Sequence, residues 1–292
     1  CKMRKFTILI PIFNDWDSLK KLLIEINHSI KNIKEVQFDC VIVNDCSTIK
    51  IPEIKIPPQI NSVKIIHMSK NKGHARCNAF GIKYLSESRD LDYVILMDGD
   101  GEDRPEEIKS LVEKVFNEPS KSVVAKRIKR SEGYLFQMLY RVHKYLTFLT
   151  TGKLINFGNY SCVTKNDVKK LSTKASLWSS YSGTFKKNIK DYNEVVSIRG
   201  MRYFGPSQMS LFKLLIHSLS IIAVFKYRVF VSSIIYLALL CYLGFLIKFN
   251  FLFLQILMIL FTAIVLAVSF RENKKELESS QLDIASQQNL TH

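Results

Sequence analysis

Acidic residues are scarce in this chain. Across 292 residues, 26 Asp and Glu stand against 42 Lys and Arg, a formal net charge of +16. Such an imbalance implies a negatively charged partner, and by charge alone nucleic acid, anionic lipid or a phosphorylated substrate would serve. The layout disfavours nucleic acid, because the basic residues gather at strand ends and beside apolar C-terminal stretches, without an interleaved aromatic platform. The six cysteines (Cys1, Cys40, Cys46, Cys77, Cys162, Cys241) include no Cys-x-x-Cys pair, and His67 and His74 complete no zinc-like spacing. Reduced thiols facing a cytosol are the simplest reading. There is no recognisable cleavable signal peptide, since Phe6 to Phe13 has only strand length and is broken by Pro11. No internal repeat is evident. The chain opens on Cys1 instead of Met, as a trimmed or partial chain would, with Met3 an available natural start.

What is present is an alternation of strand and helix patterns. Lys5 to Ile12, Phe38 to Val43, Val63 to His67, Tyr93 to Met97 and Ser122 to Ala125 are apolar runs of strand length, and each ends in polar residues. Between them lie helical patterns, the first carrying Leu19, Leu22, Leu23 and Ile26. A hydrophobic content of 47% supports a sizeable core, and the alternation predicts an α/β protein with a doubly wound parallel sheet. Ligands bind such sheets outside the carboxyl ends of the strands.

One of those ends stands out, Asp98-Gly99-Asp100-Gly101-Glu102-Asp103. On an extended chain, alternate positions put Asp98, Asp100 and Glu102 on one side, where oxygen ligands suit Mg2+ or Mn2+. The residues alone leave a second reading, a solvated acidic turn capping the helix that Pro105-Glu106-Glu107 begins.

Val229 to Ile247 and Phe249 to Phe270 are free of charge, and each is close to the ~20 residues that span a bilayer core. Lys226 and Arg228 precede the first run, and Arg271, Lys274 and Lys275 follow the second, so the positive-inside rule puts both ends on the cytoplasmic side. Upstream, Tyr134 to Leu149 is a basic amphipathic helix that either lies on a membrane surface or packs on the sheet. The polar residues from about Glu272 onward are expected to be disordered.

Together these features resemble a family 2 glycosyltransferase of GT-A fold, in the dolichol-phosphate mannose synthase and bacterial polyprenyl-phosphate glycosyltransferase group. Pro11-Ile12-Phe13-Asn14-Asp15 is similar to the opening P-x-[YF]-N-E, and Val43-Asn44-Asp45-Cys46-Ser47 to V-D-D-x-S, with Asn44 in place of the first Asp. Asn71-Lys72-Gly73-His74 resembles N-x-G-H, and Asp98 to Glu102 resembles D-x-D-x-Q. Ala125-Lys126-Arg127 resembles G-[ST]-R. Phe157-Gly158-Asn159-Tyr160 resembles the acceptor-side G-[DN]-[FY]-R, with Ser161 at the Arg position. Arg199 to Ser207 is similar to R-x-x-G-x-S-K, with Gln208 for Lys.

The resemblance implies a mostly parallel GT-A sheet flanked by helices over residues 1–205, an amphipathic juxtamembrane segment at 206–228, a two-helix transmembrane hairpin (229–247 and 249–270) and a polar cytoplasmic tail at 271–292. It implies a multi-pass protein of a bacterial inner membrane with its catalytic domain in the cytoplasm. The implied reaction is inverting transfer of a sugar from a UDP- or GDP-sugar to a polyprenyl phosphate, with a divalent metal, Mg2+ or Mn2+. Donor contacts fall on Pro11, Phe13, Asp15, Asp45, Gly73, His74, Asp98 and Gly99. Metal ligands fall on Asp100 and Glu102, the acceptor phosphate on Arg127, Arg130, Arg141, Arg202 and Ser207, and the catalytic set on Asp98, Asp100 and Arg127. A phosphate acceptor is already an anion, so no general base is demanded, and Asp98 and Asp103 are weak candidates for one. Asp103 is expected to cap the following helix. For His74 a local role at the helix start stands beside the diphosphate contact, and Trp178 and Tyr181 form either an acceptor-site wall or core. Two alternatives stay open: transfer to a saccharide, protein or other lipid, and a catalytically weak scaffold homologue, which Asn44, Ser161 and Gln208 motivate. A homo-oligomer is compatible with the sequence.

Overall fold

The computed structural model describes residues 3–129, 134–206 and 210–291. Strands β1 (Arg4–Ile12), β2 (Val36–Asn44), β3 (Ser62–Met68) and β4 (Tyr93–Leu96) run parallel, with β1 between β4 and β2 and β3 outside β2. Their side chains are buried on both faces, as parallel strands under two helix layers must be. On β1, Phe6, Ile8 and Ile10 pack with helices α1 (Trp16–Ile30) and α3 (Ile108–Asn117), whereas Leu9 packs on the opposite face with α2 (His74–Ser86). Leu19, Leu22, Leu23 and Ile26 of α1 all point inward, as their spacing predicts.

The remaining strands make the sheet mixed. After β5 (Ser122–Lys129) and α4 (Tyr134–Thr151), β6 (Phe157–Thr164) inserts antiparallel between β4 and β5, and β7 (Tyr192–Ile198) pairs parallel to β5 at one edge. Between β6 and β7 lie α5 (Lys165–Ser172) and α6 (Tyr181–Asn188). The sheet is mostly parallel, as the family resemblance implies, with β6 running against the other strands of β1 to β7. β6 puts Gly158 and Asn159 beside the carboxyl end of β4, which a parallel neighbour reached by another crossover would not do.

Helix α7 (Leu211–Ala223) leads into α8 (Lys226–Ile247) and α9 (Leu252–Ser269), joined by a turn with Lys248 in the left-handed region at φ 52°. At 1.5 Å per residue the 22-residue and 18-residue helices are about 33 and 27 Å long, close to the ~30 Å of a bilayer core. Phe230, Ile235, Phe245, Phe253 and Ile259 point outward, unlike the side chains of a core hairpin. Ser233 and Thr262 hydrogen bond between the two helices at 2.7 Å. Both helices are long and apolar enough to cross a membrane.

The tail departs from expectation. Instead of being disordered, residues after α9 form α10 (Lys274–Glu278) and β8 (Ile284–Thr291), and β8 pairs antiparallel with β3 from Ser62 opposite Thr291 to His67 opposite Ser286. Two apolar anchors explain the order: Leu277 is fully buried in the α2-side core, and Leu290 packs on the α1 side. β8 also satisfies backbone groups that the edge of β3 would otherwise expose. The strand after the hairpin and the strand that opens the chain thus belong to one sheet.

Candidate active site

β4 stops at Leu96, and residues 97–104 turn instead of continuing as an extended strand. Gly101 takes φ +87°, and a Cβ there would lie 2.5 Å from the Tyr203 ring. Glu102 N–H donates to Asp100 Oδ1 at 3.0 Å, closing the turn. The carboxylates therefore fan out to different partners. Asp98 Oδ1 is 3.1 Å from His74 Nε2 and accepts from Asn159 Nδ2 at 3.3 Å. Asp100 Oδ2 accepts from Arg202 Nη1 at 2.7 Å, and Glu102 pairs with Arg199. Asp103 is 3% exposed and accepts from Asp98 N–H at 3.0 Å and from Arg127 Nη2 at 3.3 Å. It braces the turn from inside and caps no helix, which corrects the capping role expected for it; the short helical turn Pro105–Glu107 has no side-chain cap.

Arg202 sits differently from its expected acceptor role. It bridges two residues expected on the donor and metal side, with Nη2 2.6 Å from Asp15 Oδ2 and Nη1 on Asp100. Its segment is stitched to the acidic turn by Gly200 N–H to Glu102 O at 2.8 Å and Tyr203 N–H to Asp100 O at 2.9 Å. Arg127, on β5, stands apart on Asp103. A Cβ on Gly158 would lie 2.9 Å from Arg127 Nη2, so the glycine of that motif makes room for the guanidinium.

At the β2 end, Asn44 binds both His67 Nδ1 at 2.9 Å and the Ser47 N–H at 3.0 Å, so the Asn that departs from the family pattern is a brace of its own strand end. Asp45 is 3% exposed, and its two oxygens accept from the N–H groups of Lys72 at 2.7 Å and Gly73 at 2.8 Å. That bond pair shapes the turn that opens α2 and presents His74, whose Nε2 lies within 3.1 Å of Asn78 Nδ2 and 2.9 Å of Asn159 Nδ2. Pro11, Phe13 and Gly99 flank this region: Pro11 is the next-to-last residue of β1, Phe13 is exposed, and a Cβ on Gly99 would strike Ile12 at 2.8 Å.

Of the residues expected on the acceptor, Arg141 is exposed on α4, while Arg130 and Ser207, like Gln208, lie outside the described residues. Ser161 is fully buried, bonded to Tyr181 Oη at 2.6 Å, a position where an arginine would carry an unpaired charge into the core. Trp178 and Tyr181 are core residues, not a wall of the site.

A family model described as Glycosyl transferase family 2 matches residues 7–204. The chain belongs to that family. It is 24% identical over 221 residues to the undecaprenyl-phosphate 4-deoxy-4-formamido-L-arabinose transferase of Serratia proteamaculans, covering 73% of this chain and 65% of that one. The same enzyme of Photorhabdus laumondii is 25% identical over 227 residues, covering 73% and 66%. The chain thus spans just under two thirds of the length of these relatives. Among solved structures, mannosyl-3-phosphoglycerate synthase of Rubrobacter xylanophilus aligns with a TM-score of 0.54 at 15% identity, covering 77% of this chain and 74% of that one. Glucosyl-3-phosphoglycerate synthase of Mycobacterium tuberculosis, in complex with Mn2+, UDP-glucose and phosphoglyceric acid, aligns with 0.52 at 14% identity, covering 77% and 80%. These likenesses establish the GT-A fold.

The electrostatics of the family 2 site follow from carboxylates crowded into a shielded turn. Burial, reinforced by Asp98 and Glu102, raises Asp100 to about 6. Burial likewise raises Asp103, with Asp98 adding to it. Burial would also raise Asp98, but His74 and then Arg127 and Arg199 outweigh it and hold Asp98 well below the usual carboxylate range. His74 is raised: burial opposes its charge, and Asp98, Asp100 and Asp103 prevail.

Asp100 and Glu102 suit a hard divalent ion, because Mg2+-type sites use one or two carboxylates and take further oxygens from substrate phosphates and water. Burial raises Asp100 first, and the charges of Asp98 and Glu102 add to it, so a cation bound there would favour its ionised form. Among the described residues no group of three or more His, Cys, Asp or Glu is arranged to hold an ion unaided.

Two contributors escaped the sequence reading. Arg199 was visible only as a motif letter, and its partner Glu102 gives it a role. His217 on α7 is pushed down to about 4 by burial and then by the charges of His74 and His143 on α4, with Asp98 and Arg127 also acting on it. A lone histidine in a mostly apolar helix was the signal.

Proposed function

We propose that the chain transfers a sugar from a nucleoside diphosphate sugar to a polyprenyl phosphate at a membrane surface. The observation that carries this reading is the position of the carboxylate turn beside apolar helices. His217 of α7 lies within electrostatic reach of His74 and Asp98, and of His143 on α4, and both helices expose apolar side chains, Val142, Leu146 and Leu149 on one and Leu211, Phe212 and Leu215 on the other. α4 is tied to α8 through Arg228 Nη1 to Thr151 O, Ser232 Oγ to Thr150 O and Tyr236 Oη to Leu149 O. A lipid held in a bilayer around α8 would meet the exposed apolar side chains of α4 that these bonds hold beside it.

The donor lies on the side of Asp15, Gly73, His74 and Asp98. Asp100 and Glu102 would hold the divalent ion, which offsets charge on the departing diphosphate. Arg202 and Arg199 belong to that same side, where they exchange carboxylate for diphosphate partners as ligand enters. Arg127 orients the acceptor phosphate, whose oxygen attacks the anomeric carbon without a general base. A single displacement inverts the configuration. The hairpin crosses the membrane twice with both ends on the cytoplasmic side, a reading supported by β8 pairing in the catalytic sheet and by the flanking Lys226, Arg228 and Arg271. A bacterial inner membrane is the setting.

A panel of UDP- and GDP-sugars with Mn2+, screened by thermal shift on the detergent-solubilised chain, tests the donor side. Stabilisation that needs both nucleotide and Mn2+ supports the proposal, and a flat response to every nucleotide overturns it.

A further inference from the structure

The segment that follows the membrane hairpin returns to the donor side of the molecule. Glu272 pairs with Lys226 at the base of α8 at 2.7 Å, Glu276 accepts from Trp178 Nε1 at 2.8 Å, and β8 then pairs with β3. Just before β8, Asp283 meets the loop that leads from β3 into α2. Its Oδ2 is 3.0 Å from Lys72 Nζ, its Oδ1 is 3.6 Å from Lys70 Nζ, and its carbonyl accepts from Ser69 N–H at 2.7 Å. Lys72 Nζ is held at 14% side-chain exposure, so this is more than a solvated surface pair. The same loop is gripped from the other side by Asp45, through the N–H groups of Lys72 and Gly73.

We infer that Asp283 is a positioning residue of the donor site: with Asp45 it clamps residues 69–73 and so fixes where α2 begins and where His74 stands. The inference rests on the reading that Gly73 and His74 face the donor diphosphate. Position matters there because His74 Nε2 must reach Asp98 while the N-terminus of α2 faces incoming negative charge. The clamp is supplied by residues beyond the second membrane helix, so the ordering of the donor loop depends on the chain having passed through the hairpin and come back.

The test compares Asp283→Asn and Asp283→Ala with wild type in the full-length, detergent-solubilised chain. Hydrogen exchange at the Lys72 and Gly73 amides reports the clamp itself. Calorimetric binding of UDP and of GDP with Mn2+ reports the donor site. Asp283→Ala is expected to speed exchange at both amides and to weaken nucleotide binding about fivefold, the size of one net hydrogen bond, with a smaller change in Asp283→Asn. In turnover the loss is expected in KM for the donor, with kcat largely kept. His74→Ala is the control for the donor reading. If His74→Ala weakens nucleotide binding but Asp283→Ala changes neither exchange nor binding, the positioning role is wrong. If Asp283→Ala speeds exchange while neither variant alters nucleotide binding, the clamp stands and the donor assignment of this loop fails, and the inference fails with it.

Discussion

Arg202 joins Asp15 to Asp100, its two terminal nitrogens 2.6 and 2.7 Å from carboxylates that belong to different strand ends. All three side chains are mostly shielded, so the guanidinium is the local counter-charge for both acids. Arg202→Ala should leave two partly shielded carboxylates without this partner, at a cost of about 1 to 3 kcal/mol in urea unfolding of the metal-free protein. Mn2+ should recover part of that loss. Unfolding midpoints indistinguishable from wild type, with and without Mn2+, would show that the bridge contributes nothing.

Asp100 gives the pH dependence a definite sign. Burial raises its folded pKa to about 6 from an ordinary value near 3.8. Below about 3.8 both folded and unfolded states hold the proton, and between about 3.8 and 6 only the folded state does. The folded state binds more protons in that window, so the Asp100 contribution to stability falls as pH rises through it and is flat above. Asp100→Asn should remove that slope in metal-free protein. Urea titrations of both forms across pH 4 to 7 check it, and parallel curves would contradict the assignment.

Arg127 is expected to serve the acceptor. Arg127→Ala should raise KM for the lipid phosphate more than KM for the nucleotide sugar, by roughly ten- to a hundredfold for the loss of a charge-assisted contact. Gly158→Ala should give a weaker version of the same phenotype, because its Cβ would press on the guanidinium. A loss confined to the donor in either variant would move Arg127 to the other side of the site.

Much of the fold was legible because its signals are periodic and local. The buried runs of β1 to β4 and the spacing of Leu19, Leu22, Leu23 and Ile26 translate directly into structure. β6 was legible as a motif around Asn159 but not as an antiparallel insertion, since strand order depends on long-range pairing that no local pattern encodes. β8 was missed because IASQQNLT is polar almost throughout, as an edge strand that satisfies backbone groups can be. In the site, the residue types of the acidic turn were readable and their partners were not. That Asp103 braces the turn, and that Arg202 sits on Asp15, depend on how three distant loops meet.

The ordered tail makes a prediction of its own. Leu277 is fully buried against the α2-side core, so Leu277→Ala should cost about 2 to 5 kcal/mol of stability. A disordered tail would make the same substitution silent in thermal unfolding. Removing residues 284–291 should go further, exposing the β3 edge and promoting aggregation, which light scattering would detect.

The central claim, sugar transfer to a polyprenyl phosphate at the Asp98–Asp103 turn, is most directly tested by following labelled sugar from UDP- and GDP-donors into undecaprenyl phosphate with Mn2+, in wild type and in Asp100→Ala. The account predicts an inverted lipid-linked product from wild type and more than about a hundredfold loss in Asp100→Ala with the fold intact. Equal turnover by the two proteins, or no lipid-linked product from any donor that binds, would contradict it.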